Sequence, residues 1–197
     1  MDNYIRLGND SASAAGDFSY MFQYAGLRHI QGLNLENSVK DISKMFAKSA
    51  IESCTIENGD MVTFAEGMFE KSYLTNLTIQ GGRLGVVSSF DGKDMFKDTP
   101  RLKTVDSFSF AYYNNAESLF EGSGIETIRT YDVAGATIKP SIGSCYRMFA
   151  NCPRLTYSTF ISANLTFSNP HSNEWDNVDM RSMFEGCSSF EKIPFSA

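Results

Sequence analysis

The sequence predicts an α/β solenoid of about seven coils, with one parallel sheet backed by short helical turns. Three observations carry that prediction. A Met-Phe dipeptide recurs at Met21-Phe22, Met45-Phe46, Met68-Phe69, Met95-Phe96, Leu119-Phe120 (Leu for Met), Met148-Phe149 and Met183-Phe184, with spacings of 24, 23, 27, 24, 29 and 35 residues. Three residues after each Phe stands a small side chain: Ala25, Ser49, Ser72, Thr99, Ser123, Cys152 and Cys187. Five or six after the Phe comes an apolar residue (Leu27, Ile51, Leu74, Leu102, Ile125, Leu155, Phe190). Three further on comes Ile30, Cys54, Leu77, Val105, Ile128 or Ile193, with Ser158 the one departure.

A unit of about 25 residues cannot bury its own apolar face, but stacked units bury a continuous core between them. Equivalent residues then lie above one another at about the 4.8 Å spacing of a parallel sheet. This predicts a column of Phe rings down the interior. Beside it runs a column of small residues where the backbone turns tightly.

Taken in order, residues 1–17 form an N-terminal cap segment, with Tyr4, Ile5 and Leu7 as a strand over the first coil. The turn Gly8-Asn9-Asp10 and the connector 11–16 follow. Residues 18–197 form the solenoid domain. Segments such as LTNLTI (74–79) and IETIRT (125–130) alternate apolar and polar residues and are rich in Thr and Ile, the pattern of short strands. The run VKDISKMFAKS (39–49) places Ile42 and Phe46 four apart, which predicts one or two helical turns before and across each Met-Phe pair.

The quoted repeats also carry a family resemblance. MFEGCSSFEKI (183–193) and CYRMFANC with MFANCPRLTY (145–157) resemble the Met-Phe-x-x-Cys-x-x-Leu repeats of BspA-like leucine-rich-repeat bacterial surface proteins. The resemblance spans roughly 17–197 and is strongest in the last two coils. It implies a leucine-rich-repeat-like solenoid used for recognition: adhesion on a cell surface, or the same module in a phage virion. It brings no catalytic residues.

Composition narrows the function classes. The 17 Lys and Arg are scattered singly in a chain of net charge −6, so no basic groove for a nucleic-acid backbone is expected. No apolar run is long enough to enter a membrane, and the first residues do not read as a secretory signal. Localisation is expected at a cell surface or in a virion. Cys54, Cys145, Cys152 and Cys187 lack paired metal-ligand spacing and read as buried free thiols. No cofactor and no metal is expected. Glu174, Asp176 and Asp179 read as a solvated polar loop rather than a calcium site. His29 stands outward on a strand with no acid or nucleophile in phase. No catalytic motif is present, and an enzyme is not expected.

Binding residues are sought on the exposed sheet face. One outward column is predicted as His29, Ser53, Asn76, Thr104, Thr127 and Tyr157. The next is Gln31, Thr55, Thr78, Asp106, Arg129 and Thr159. This polar, Thr-rich surface suits a glycan or a polar protein, and equally a plain solvated face. Tyr157, Arg129, Thr159 and Thr127 are the expected contacts. Trp175, in the insertion 156–179, either joins them or packs back on its own coil as a lid. A shorter insertion covers 80–93. The C-terminal KIPFSA stops in strand phase with Ile193 and Phe195 inward. That edge is expected to be a cut end, to be blunted by Pro194, or to dock a sister subunit or scaffold.

Overall fold

In the computed structural model, the structure describes residues 4–11, 15–82, 84–86, 89–108, 113–130, 144–158 and 178–191. Ten strands are assigned among them. They are β1 (Tyr4–Leu7), β2 (Gly16–Asp17), β3 (His29–Leu35), β4 (Val39–Asp41), β5 (Ser53–Glu57), β6 (Asn76–Ile79), β7 (Phe90–Asp91), β8 (Thr104–Phe108), β9 (Tyr113–Asn115) and β10 (Thr127–Thr130).

Six of them form one parallel sheet in the order β1-β3-β5-β6-β8-β10. The register is the one the repeat requires. Ile30 pairs with Cys54, Cys54 with Leu77, Leu77 with Val105, and Val105 with Ile128. A second, narrow parallel ladder runs through β2–β4 and β7–β9, joined by single bridges at Phe64. The chain is therefore a parallel β-solenoid. The core lies between the two ladders, and the repeat pairs Met45-Phe46, Met68-Phe69, Met95-Phe96, Leu119-Phe120 and Met148-Phe149 are fully buried in it.

The Phe column is as the repeat demands. Consecutive rings from Phe22 through Phe46, Phe69, Phe96, Phe120 and Phe149 to Phe184 lie 5.0–5.9 Å apart, with planes 1–13° from parallel. Offset stacking at this separation adds to simple burial.

Two expectations are corrected. The first is helix in every coil. Among the described residues there is almost none: a 3-10 turn at Gln80–Gly82 and helical backbone at Tyr157 and Ser158. The Met-Phe segments are instead runs of turns. The residue before each Met (Tyr20, Lys44, Gly67, Asp94, Ser118, Arg147, Ser182) has positive φ. So does the second residue after each Phe (Tyr24, Lys48, Lys71, Asp98, Gly122, Asn151, Gly186). A left-handed residue every four positions cannot continue a right-handed helix. It turns alternate amides outward instead. Met45, Ala47 and Ser49 donate to the carbonyls three residues back, while Ile42, Lys44, Phe46 and Lys48 donate to Phe64, Glu66, Met68 and Glu70 of the next coil.

The second correction is the number of coils. The turn recurs at all seven Met-Phe sites, but a sheet strand follows only the first five among the described residues, as β3, β5, β6, β8 and β10. The solenoid thus has about five complete turns. The predicted inward Ile193 and Phe195, and most of the insertion 156–179, lie outside the described residues.

The small-residue column has a chemical reason as well as a steric one. Ser49 Oγ and Thr99 Oγ1 donate to the carbonyls of Phe46 and Phe96, at 2.7 and 2.6 Å. Cys152 and Cys187 donate their thiols to the Phe carbonyls of the preceding coil, Phe120 at 2.9 Å and Phe149 at 2.8 Å. Each side chain satisfies backbone that would otherwise be buried with fewer partners.

Candidate functional site: the exposed sheet face

Strand alternation turns every second residue of the large sheet outward. The ladder then lines these residues up: His29, Ser53, Asn76, Thr104 and Thr127 are successive register partners, as are Thr55, Thr78 and Asp106. Every member is partly or fully exposed except for the apolar residues between them, which are buried. The rigid ladder fixes the donors and acceptors of five strands on one platform.

At the β1 end the platform gains a wall. Gly32 is buried in β3, beside a one-residue register shift between Ile30 and Leu33. A Cβ there would stand 2.5 Å from the Tyr4 ring. Glycine therefore lets the ring lie down on the sheet, and Tyr4 as a residue stays 67% exposed. An open groove of about 410 Å³ results, lined by Tyr4, His29, Gln31, Ser53, Thr55, Asn76 and Thr78.

His29 differs from expectation. Its Nδ1 lies 3.0 Å from Ser53 Oγ, and its Nε2 is 4.0 Å from Glu52 Oε2. A hydroxyl and a carboxylate therefore flank the ring. The second carboxylate oxygen of Glu52 accepts from Arg28 at 2.8 Å. Strand alternation places Ser53 in the next rung, but the approach of Glu52, one residue earlier, follows from side-chain packing. The arrangement orients an imidazole for hydrogen bonding.

The predicted contact residues separate. Thr127 and Arg129 share β10 on the same face, at the end away from Tyr4. Arg129 is 64% exposed at its side chain and ion-paired with Asp106. Tyr157 is not in the sheet: it is half-buried in helical backbone, with its ring edge-on to Phe190 at 6.5 Å. Thr159 and Trp175 lie outside the described residues. The groove residues Ser53 and Asn76 were in reach of the sequence, since both sit in the predicted column. Nothing in the pattern announced Tyr4, because its position depends on a Gly one coil later.

The thiols are not poised for chemistry. Burial pushes Cys54, Cys145 and Cys152 up to about 12 each, and burial raises the half-buried Cys187 as well. Among the described residues, no group of three or more His, Cys, Asp or Glu is placed to hold a metal ion. No helix among them is long and apolar enough to cross a membrane. Comparison with protein-family models, with curated proteins and with solved structures found no match.

Proposed function

We propose that the chain is a non-enzymatic recognition module of the BspA-like leucine-rich-repeat kind, displayed on a cell surface or a virion. The last two Met-Phe turns belong to its sixth and seventh coils. Its exposed sheet face takes a glycan, with a polar protein surface as the neighbouring alternative. The observation that supports this reading is the groove at the β1 end. It sets hydroxyl, amide and imidazole groups in register beside one exposed aromatic ring. Sugars offer the matching chemistry, with hydroxyls to pair and an apolar C–H face to lie on a ring. Arg129 and Thr127 extend the surface at the other end.

The test is a glycan array and a panel of cell-surface proteins, probed with the whole chain and with Ser53→Arg and Asn76→Arg. Both positions are on the surface, so unfolding by urea is unchanged. Binding that both variants abolish supports the sheet face. Binding that neither alters, or none to either panel, removes it.

A second reading, a structural assembly protein, is favoured by one observation: the two ends of the turn ladder carry complementary backbone groups that find no partner among the described residues.

A further inference from the structure

The ladder formed by the Met-Phe turns is polar. At each of the six joints between successive turns, four amides of the earlier turn donate to four carbonyls of the later one. At the first joint Phe18, Tyr20, Phe22 and Tyr24 donate to Asp41, Ser43, Met45 and Ala47. At the last, Cys145, Arg147, Phe149 and Asn151 donate to Asp179, Arg181, Met183 and Glu185. The four joints between repeat the same offsets, and within this stretch of the turn no bond runs the other way. Peptide dipoles therefore add along the solenoid axis, as they do along a helix.

Such a ladder ends in unlike faces. In the first turn the carbonyls of Ser19, Met21 and Gln23 stand at acceptor positions and receive no donor among the described residues. In the seventh turn the amides of Met180, Ser182 and Gly186 stand at donor positions and reach no acceptor among them. Side chains follow the backbone. Met21 is 50% exposed, although Met45, Met68, Met95 and Met148 of its column are fully buried. Met180 is 37% exposed, where its column mates Ile42, Ala65, Ala116 and Cys145 are fully buried. Tyr20 and Tyr24 add exposed rings at the first turn.

One contact stands in the way. Phe149 stacks on one face of the Phe184 ring, and Phe190 stacks on it too, 4.4 Å away and 13° from parallel. Phe190 thereby occupies the place of the next rung.

We propose that the two ends are partners: the first turn of one copy docks on the seventh turn of another, continuing the ladder, and its Phe22 displaces Phe190 from Phe184. In the register of the internal joints, the Ser182 amide meets the Ser19 carbonyl and the Gly186 amide meets the Gln23 carbonyl. The occupant is a second copy because the donor row, the acceptor row and the spacing between them are those of this chain's own repeat. The contact is head-to-tail and does not close on itself, so it builds open rows of copies. It is independent of what the sheet face binds.

The test is light scattering on the full chain over a concentration series. The mass of the unaltered chain is expected to climb from 21.9 kDa without a fixed ceiling. Phe190→Ala removes the plug and shifts that rise to roughly three- to tenfold lower concentration, the worth of one aromatic stack. Met21→Arg and Met180→Arg each block one end and stay monomeric alone. Their equimolar mixture forms a one-to-one dimer and stops, because one free donor end meets one free acceptor end. Should Met21→Arg fail to fold by circular dichroism, Tyr24→Arg, 66% exposed in the unaltered chain, blocks the same end. The proposal is overturned if the unaltered chain and Phe190→Ala are both monomeric throughout. It is also overturned by a closed oligomer of fixed size, or by blocked variants that fail to pair.

Discussion

The rings of Phe120 and Phe149 lie 5.4 Å apart with their planes 2° from parallel, and each stacks on the Phe of the coil beyond it. Phe149 is fully buried between Phe120 and Phe184. Truncation to Ala leaves an unfilled rung that rigid turns on both sides cannot close. The expected loss is roughly 3–5 kcal/mol, read from urea melts. A loss below about 1 kcal/mol would show that the stack is incidental to stability.

The left-handed turn positions give a test of opposite sign. Lys48 has φ +57°, and its exposed side chain reaches Tyr24 across the surface. A left-handed residue with a Cβ costs roughly 1–2 kcal/mol. Lys48→Gly is therefore expected to stabilise by about 0.5–1 kcal/mol, and Lys48→Ile to destabilise by more than that. Thermal melts decide. If glycine weakens the fold, the turn conformation is not the one described.

Two acids on the turn surface are predicted to differ. Burial raises the Glu70 carboxyl, but Lys44, at 2.8 Å, and then Lys71 outweigh it and hold Glu70 below its ordinary range. Its contribution is present at neutral pH and is lost as pH falls through that range. For Asp94 burial prevails over Lys97 and the other lysines nearby, and its carboxyl is raised. Its Oδ1 is 3.3 Å from Lys97 Nζ without an aligned hydrogen bond. At pH 7 Glu70→Gln should destabilise and Asp94→Asn should stabilise, each by about 1 kcal/mol or less. Asparagine also suits the positive φ at that site. Chemical melts at pH 7 and pH 3 separate the two, because both differences shrink once the carboxyls are protonated.

The thiols make a kinetic prediction. With Cys54, Cys145 and Cys152 held near 12, the native thiolate fraction at pH 8 is on the order of one in ten thousand. Alkylation of the folded chain should reach the half-buried Cys187 first and the other three only on unfolding, which peptide mass mapping resolves. The same shifts add stability that is whole below the ordinary thiol value of 9.0 and is lost as pH rises toward 12. Fast labelling of all four thiols in the native chain would contradict this packing.

Much of the architecture was legible in the repeat. The Phe column, the small-residue column and the Ile30–Cys54–Leu77–Val105–Ile128 rung all appear in the predicted register. The turn was misread as helix because Ile42 and Phe46 stand four apart, and both are indeed buried. A clue was available. Asp17, Asp41, Asp91, Asn115 and Asp179 all stand five residues before their Phe. Each accepts from the amide two residues on, the signature of an Asx turn rather than a helix interior. The left-handed sites themselves are weakly marked, since Lys, Arg, Tyr and Ser share them with Gly, Asp and Asn.

The sequence by itself determined that this chain stacks its repeats, which residues face inward, and which columns share a surface. These are consequences of periodicity, because a residue type that recurs at a fixed interval must meet its own kind when coils stack. Only the tertiary structure decided how the Met-Phe segment hydrogen-bonds, that its ladder is polar, and that Tyr4 lies over Gly32 beside His29, Ser53 and Asn76. A backbone amide looks the same in every sequence. Where it points depends on whether the next coil offers a carbonyl at the right height, and that is settled by stacking rather than by local preference.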